Sequence, residues 1–211
     1  MARTLILRMD MTLDGFVCGT RGDMETWGPK HFDGDAEQWV LDSLWNTSAH
    51  VMGGETYRGL ASYWPTATES FAKPMNEIPK VVFSRSLRDD EATWKSTTVL
   101  RGELHSEMTK LKREDGKPLV VHGGVRFARS LINSGLLDEV VLCRHPVAIG
   151  RGRGIFDDVK GAPHRPTRII SRAARRSPAA RWGGTSRGSP RTCASRWPSS
   201  TRVRAARRRA A

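Results

Sequence analysis

Short apolar runs alternate along the chain with polar, glycine-rich or amphipathic segments. Runs of this length that are rich in β-branched residues are typical of strands buried in a sheet. They predict strands over residues 4–9, 50–52, 80–87, 96–100, 119–121, 140–147 and 167–171, with a polar turn at the end of the third run.

Between several of these runs, apolar residues recur at the spacing of a helix. This pattern predicts helices over residues 33–46, 103–113 and 125–132. The proline-containing segment 62–79 is expected to be a connector. Strands that alternate with helices predict an α/β fold with a mostly parallel central sheet and helices on both faces.

The turn Gly123-Gly124 joins an apolar run directly to a predicted helix, which opens with Val125-Arg126. Such a turn directs free backbone N–H groups and the positive end of the helix dipole at one spot. Two glycines let an anion approach without obstruction by a Cβ atom, so a phosphate is the natural guest. A tight connection without a ligand is the other interpretation of the same residues.

The composition excludes several classes of protein. The sequence contains no run of about 18 apolar residues, so no membrane span is predicted. The N-terminal apolar stretch is too short for a secretion signal. The three cysteines, Cys18, Cys143 and Cys193, have neither metal-ligand spacing nor the pattern of a disulfide framework. We therefore expect a reduced cytoplasmic protein with no metal.

The net charge of +13 is concentrated at the C-terminus. Residues 173–211 contain 11 arginines and no acidic residue, whereas residues 1–172 carry 24 basic and 22 acidic residues. The nearly neutral 1–172 segment gives no sign of a polyanion partner, although a basic arm that binds nucleic acid is one interpretation of the tail. We predict two segments: a folded domain over 1–172 and a disordered Arg/Ala-rich tail over 173–211.

The tail also has the composition of GC-rich DNA read out of frame. It contains no Leu, Ile, Met, Phe or Tyr and cannot bury a core face. With GC-rich codons, a frame shifted by two nucleotides over residues 171–182 can encode P-R-R-T-T-F-P-S-G-A-L. We favour this interpretation over the basic arm.

Several consecutive motifs resemble one known family. They are T-L-D-G at residues 12–15, G-x-x-T-Y at 53–57, K-V-V-F-S at 80–84, V-H-G-G at 121–124, G-L-L-D-E at 135–139 and the glycine-rich stretch that follows Pro146-Val147. Together they resemble the reductase domain of the dihydrofolate reductase superfamily, closest to stand-alone bacterial relatives of the riboflavin-biosynthesis (RibD C-terminal) reductase. The resemblance implies a three-layer α/β/α sandwich that ends in an antiparallel pair of strands.

The resemblance implies NADPH as the cofactor and assigns its binding residues. The loop after T-L-D-G lies over the nicotinamide, both glycine turns contact phosphates, and the turn after residue 83 lies at the adenosine end, where Arg85 can pair with the 2′-phosphate. The implied cofactor-binding residues are Gly15, Gly53, Gly54, Thr56, Ser84, Arg85, Gly123, Gly124, Val125 and Arg126. Gly54 replaces the arginine that is usual in the family. Ordinary turns and a solvated arginine are the alternative interpretations.

Two carboxylates are candidates for catalysis, Asp14 and Asp33, although neither is clearly the proton donor. A carboxylate on the first helix binds the pterin in dihydrofolate reductases, and Asp33 is near that place, as is Asp35. Either residue can instead be a helix cap. Trp27 is a candidate lid over the substrate, or a plug on the core.

The leading hypothesis is an NADPH-dependent reductase that transfers hydride to a pterin- or pyrimidine-like small molecule. A nucleotide-binding protein of the same fold without reductase activity is the alternative. We expect a small-molecule substrate and neither a nucleic-acid nor a membrane partner. A homodimer is one assembly compatible with this family.

Overall fold

The computed structural model describes residues 2–21, 34–157, 159 and 168–173, with the backbone alone for 34–36 and 168–173. The strands are β1 (Leu5–Thr12), β2 (Ala49–Gly53), β3 (Lys80–Phe83), β4 (Thr97–Leu100), β5 (Leu119–His122), β6 (Glu139–His145) and β7 (Arg168–Ala173). The α-helices are α1 (Gly34–Trp45), α2 (Gly54–Ala61), α3 (Ala72–Glu77), α4 (Leu104–Arg113) and α5 (Val125–Ser134), with short 3-10 turns at Trp64–Thr66 and Asp89–Glu91.

These strands form one seven-stranded sheet in the order β4-β3-β2-β5-β1-β6-β7. Each neighbouring pair in this order is parallel. Parallel strands require crossover connections that cover the faces of the sheet. The predicted fold class, an α/β sandwich around a parallel sheet with the dihydrofolate-reductase-like architecture, is confirmed.

Two apolar clusters hold the three layers together. On one face, Leu7 of β1 packs in a cluster with Met108 of α4 and Leu131 of α5. On the other face, Met52 of β2 packs in a cluster with residues of α1, α2 and α3, including Tyr57. The helices that follow β1 and β2 therefore lie on the face opposite to those that follow β4 and β5.

Three local predictions need correction. Helix α3 lies within the segment that was expected to be a connector, with Met75 buried against the second cluster. The helix α1 begins at Gly34, so Asp35 is inside its first turn and is not its N-cap. The strand β3 ends at Phe83, before the polar turn. The helix α5 ends at Ser134, two residues past the predicted end, and Gly135 follows it with a left-handed backbone (φ 67°).

The C-terminal predictions fall mostly outside the described residues. The strand β7 pairs in parallel with β6 and ends at Ala173, one residue past the predicted domain boundary. Residues 174–211, where the tail is predicted in place of the antiparallel pair implied by the resemblance, are not described. Among the described residues, no helix is long and apolar enough to cross a membrane.

Candidate functional site

The direction of the chain reverses between β2 and β5. These strands are neighbours in the sheet, but β2 leads through α2 towards β3, while β5 leads through α5 in the opposite direction towards β6. The two helices also lie on opposite faces. At such a switch point the connections diverge and leave a crevice at the carboxyl ends of the strands, where α/β proteins bind their ligands. Both glycine turns lie at this crevice.

The turn Gly123-Gly124 has the unusual backbone that its two glycines allow. The φ angles are 52° and 77°, both in the region that favours glycine. A Cβ atom on Gly124 would stand 2.6 Å from the hydroxyl oxygen of Thr56. Because Thr56 follows the turn Gly53-Gly54, the two glycine turns lie close together, and the N-termini of α2 and α5 meet at one crevice.

The turn Gly53-Gly54 is packed equally closely against Ser84, the residue that follows β3. A Cβ atom on Gly54 would stand 2.5 Å from the hydroxyl oxygen of Ser84, which accepts a hydrogen bond from the backbone N–H of Leu87 at 3.0 Å. An arginine at position 54 would displace Ser84. This contact is a physical reason for the glycine that replaces the family's arginine.

A cleft of about 210 Å³ continues from the crevice towards β4. Ser84 and Arg85 line it on one side, and Leu104 of α4 and Phe127 of α5 line it on another. The phenyl rings of Phe83 and Phe127 pack with their centroids 5.6 Å apart and form its apolar part. The exposed side chain of Arg85 lies beside this apolar part of the cleft, an arrangement that suits an aromatic ring carrying an anionic group.

Val125 and Arg126 form the first turn of α5, beside the crevice. Val125 packs partly buried against the core. Arg126 donates a hydrogen bond from Nη2 to Glu55 Oε2 at 2.7 Å, and both side chains are largely exposed. The Arg126 cation therefore already has a carboxylate partner, which lies in the first turn of α2.

Asp14 organises the loop that follows β1. Its Oδ2 accepts hydrogen bonds from the backbone N–H groups of Ile149 at 3.0 Å and Gly150 at 2.7 Å. The side-chain hydrogen bond from Thr12, together with these backbone donors, holds the pKa of Asp14 below its usual value. Gly15 has a φ of 91° in the same turn. This geometry keeps Asp14 ionised and does not favour the predicted proton-donor role.

Two buried histidines connect β2 to β5 on the face covered by α1. His50 Nδ1 and His122 Nε2 are 2.8 Å apart, and His50 Nε2 is 3.2 Å from the carbonyl oxygen of Pro74. A carbonyl oxygen only accepts, so His50 Nε2 donates to it. In the neutral ring His50 Nδ1 then accepts from His122 Nε2. The carbonyl thus sets both tautomers.

Burial makes both of these histidines hard to protonate. It lowers the pKa of His50 to about 4, and the charges of Arg8 and Lys80 act in the same direction. Burial, followed by the proximity of His50 and Arg8, lowers the pKa of His122 well below its usual value. Burial also lowers the pKa of Arg8, against the nearby carboxylate of Asp10. Polar groups are therefore concentrated under α1.

One further pair lies closer to the carboxyl edge of the sheet. His145, the last residue of β6, is 2.8 Å from Asp10 of β1, measured from Nε2 to Oδ1. Neither residue was singled out from the sequence, and neither were Arg8, His50 and His122. Their signal is a polar residue inside an apolar run, which is weak when each strand is considered alone.

The remaining predicted site residues are outside the described part of the chain. Trp27 and Asp33 both fall within residues 22–33, so their predicted roles at the substrate remain predictions. In the described ranges, no group of three or more His, Cys, Asp or Glu residues is placed to hold a metal ion.

A parallel sheet wound in both directions, with two glycine turns at its switch point, defines a doubly wound α/β protein of dihydrofolate-reductase-like fold. The chain belongs to the RibD C-terminal domain family, whose model matches residues 3–169. The uncharacterized protein YyaP of Bacillus subtilis (strain 168) is 30% identical over 165 residues, which cover 75% of this chain and 82% of that protein.

Solved structures share the fold at lower identity. A putative riboflavin biosynthesis protein from Shewanella sp. PV-4 is 21% identical with a TM-score of 0.57, over 77% of this chain and 86% of its own. A diaminohydroxyphosphoribosylaminopyrimidine deaminase/5-amino-6-(5-phosphoribosylamino)uracil reductase from Thermotoga maritima is 17% identical with a TM-score of 0.52. This second match covers 78% of this chain but only 51% of the Thermotoga chain, so the present chain spans about half of that protein.

Proposed function

We propose that this protein is an NADPH-dependent reductase that transfers hydride to a C=N or C=O bond of a pterin- or pyrimidine-like small molecule. Membership of the RibD C-terminal domain family supports this class of reaction. The Thermotoga relative is a reductase of an aminouracil, by its description. The observation that carries the proposal is the close meeting of Gly124 with Thr56 at the switch point.

The residues at the crevice fit the diphosphate of a dinucleotide. The first N–H groups of α2 and α5 have no partner within their own helices, and the absence of a Cβ at Gly54 and Gly124 leaves the backbone open to an anion. Thr56 and Ser84 add hydroxyl groups at the same place. These groups would hold the phosphates, while NADPH would supply the hydride and its two electrons.

The cleft at β3 and β4 suits the adenosine end of the same molecule. Phe83 and Phe127 offer an apolar surface for the adenine ring, and Arg85 can form charge-assisted hydrogen bonds with the 2′-phosphate. NADPH is therefore favoured over NADH. In this arrangement the nicotinamide would lie towards β1 and β6, beside the loop that contains Asp14 and Gly15.

A screen of NADPH consumption against pterins and ribosylaminopyrimidines tests the proposal, with direct titration of NADPH as the second measurement. We expect micromolar or tighter NADPH binding and turnover with at least one member of these classes. The variant Gly124→Val should lose NADPH binding and turnover together. A protein that does not bind NADPH would contradict the proposal.

A nucleotide-binding protein without reductase activity is the second candidate. It is favoured by the glycine that replaces the family's arginine at position 54 and by the engagement of Asp14 with backbone N–H groups. Tight NADPH binding without consumption in the screen would support it. We also propose a cytoplasmic protein with no nucleic-acid partner, in which a homodimer is testable by light scattering.

A further inference from the structure

The two faces of the central strand β1 differ sharply. Its odd-numbered residues Leu5, Leu7, Met9 and Met11 are buried in the apolar cluster under α4 and α5. Arg8 and Asp10 alternate with them and therefore project from the face covered by α1, where Arg8 Nη1 donates to Ser43 Oγ of that helix at 3.3 Å. Strands of a parallel sheet covered on both faces are usually apolar throughout. Charged residues here need a reason.

Asp10 and His145 form a hydrogen-bonded couple at the carboxyl end of this face. The distance between Asp10 Oδ1 and His145 Nε2 is 2.8 Å. A carboxylate can only accept, so Nε2 carries the proton and donates it. The side chain of His145 is 8% exposed and that of Asp10 is 25% exposed. The imidazole is therefore the inner member of the couple, and the carboxylate is the outer member that a small molecule can reach.

The place of this couple follows from the proposed path of the cofactor, on which the inference rests. The cleft for adenosine lies at β3 and β4, and the crevice for phosphates lies between β2 and β5. The next strands in the sheet are β1 and β6, which carry Asp10 and His145. Three strand spacings separate β3 from β1, or about 14 Å. The couple therefore lies on the strands β1 and β6, where the proposed path of the cofactor would bring the nicotinamide.

We propose that Asp10 delivers the proton of the reduction and that His145 positions it and passes the proton to it. The protonated couple, an imidazolium facing a carboxylate, gives one proton through Asp10 to the nitrogen or oxygen of the C=N or C=O bond, directly or through one water. NADPH, when bound, would supply the hydride to the carbon as the π bond breaks, and would itself be oxidised. The couple returns to imidazole and carboxylate, and solvent restores its proton.

Other titratable groups lie around the couple. Arg8 lies on the same strand and face and interacts electrostatically with Asp10 and with Cys143 of β6, while His122 of β5 pairs in register with Arg8. Asp14, the other described carboxylate near this end of β1, is held by the N–H groups of Ile149 and Gly150 and has no proton to give. Of these two described carboxylates, Asp10 is the one that is hydrogen-bonded to a histidine able to resupply its proton.

The variant Asp10→Asn tests the inference, because the amide keeps the shape of the side chain and can still accept from His145. The matched control is Asp42→Asn, which changes an exposed carboxylate on α1. The two acceptors for this test are 7,8-dihydropterin and its N5-methyl iminium cation. Reduction of the cation needs no proton. Loss of general acid catalysis typically costs a factor of 10²–10⁴.

We expect Asp10→Asn to reduce 7,8-dihydropterin at least about 100-fold more slowly than the wild type, to retain the rate with the iminium cation within a few-fold, and to bind NADPH with unchanged affinity. His145→Gln preserves a donor to Asp10 without a proton to transfer, and should lose about tenfold with dihydropterin alone. In the protein without cofactor or substrate, the nitrogen resonances of the His145 ring should shift in Asp10→Ala and stay unchanged in Asp42→Asn.

Each other outcome is decisive. An Asp10→Asn variant that reduces both acceptors at the wild-type rate, or loses both equally while it still binds NADPH, overturns the proton-delivery role and leaves the proposed function intact. A folded Asp10→Asn variant that no longer binds NADPH also overturns the proton-delivery role, and if circular dichroism shows that the variant does not fold, His145→Gln decides in the same way. A wild-type protein that reduces neither acceptor overturns the proposed pterin chemistry and this inference together.

Discussion

The hydroxyl oxygen of Thr56 lies 2.6 Å from the position that a Cβ atom would occupy on Gly124. The N-termini of α2 and α5, which lie on opposite faces of the sheet, therefore approach each other so closely that Thr56 leaves no room for a side chain at position 124. Gly124 also has a φ of 77°, which strains any other residue. A side chain at position 124 is therefore disfavoured both by the contact with Thr56 and by the backbone conformation. The effect of the conformation alone can be measured at another glycine with a positive φ.

Gly124→Ala should weaken NADPH binding at least tenfold in a protein that still folds. The added methyl group displaces Thr56 and narrows the approach to the N–H groups of α5. Isothermal titration of NADPH is the measurement. Gly135→Ala is the matched control, because Gly135 also has a positive φ of 67° but lies at the far end of α5. It should lose stability of roughly 1–2 kcal/mol, the cost of a left-handed backbone for a residue with a Cβ atom, and bind NADPH normally. Equal affinity in both variants would contradict the phosphate assignment.

Arg85→Ala should separate NADPH from NADH. An arginine–phosphate pair contributes roughly 1.5–3 kcal/mol, so the variant should bind NADPH about tenfold or more weakly and NADH unchanged. The control is Arg88→Ala, which removes an exposed arginine already paired with Asp90 at 2.9 Å. Equal losses for NADPH and NADH in Arg85→Ala would show that this residue does not distinguish the 2′-phosphate.

Glu55→Gln should strengthen NADPH binding. The carboxylate lies in the first turn of α2, beside the proposed phosphate site, and holds Arg126 at 2.7 Å. An exposed ion pair contributes about 0–1 kcal/mol to stability, so the fold should be retained. Removal of the negative charge frees Arg126 for the phosphates, and affinity should rise several-fold at low salt and less at high salt.

The control for this charge effect is Glu114→Gln. Glu114 pairs with Arg3 at 3.0 Å, at the opposite end of the sheet. Its neutralisation should leave NADPH affinity unchanged at both salt concentrations. An equal gain in the two variants would mean that the overall charge of the protein, and not the position of Glu55, controls binding.

The sequence predicted most of the sheet because each strand is a short apolar run between breaking residues. The helix α3 was missed because Pro74 suggested a connector, yet a proline is tolerated in the first turn of a helix, where its missing N–H costs little. Tertiary contacts stabilise this helix. Asn76 donates to the carbonyl oxygen of Trp64 at 2.8 Å and accepts from Trp94 Nε1 at 2.7 Å. Such long-range contacts leave no local pattern.

The glycine turns of the candidate site could be predicted from the sequence, whereas the polar residues under α1 could not. The glycine turns are visible in the sequence, because Gly53-Gly54 and Gly123-Gly124 each follow an apolar run, and the resemblance assigns both to one ligand. No pattern in the sequence indicated that the polar residues under α1 lie together. His50 and His122 are 72 positions apart, and only the register of parallel strands brings them together. The same holds for Asp10 and His145.

The histidine pair predicts how stability depends on pH. In the unfolded chain a histidine has a pKa near 6.5, whereas burial lowers the pKa of His50 to about 4 in the folded protein. Between these values the unfolded state binds more protons than the folded state. The contribution of His50 to the free energy of unfolding is therefore fully present above about pH 6.5 and is lost as the pH decreases towards 4. His50 alone should account for about 3 kcal/mol, and His122 acts in the same direction. Carboxylates with lowered pKa values, such as Glu91 and Glu103, lose their contribution to stability only at lower pH.

Urea unfolding at about pH 7.5, 6 and 5 therefore measures the contribution of the histidines. The variant His50→Leu should show a smaller change of unfolding free energy with pH. The control His105→Gln, which changes an exposed histidine of α4, should show the same change as the wild type. A wild-type unfolding free energy that does not change over this range would contradict the buried neutral pair.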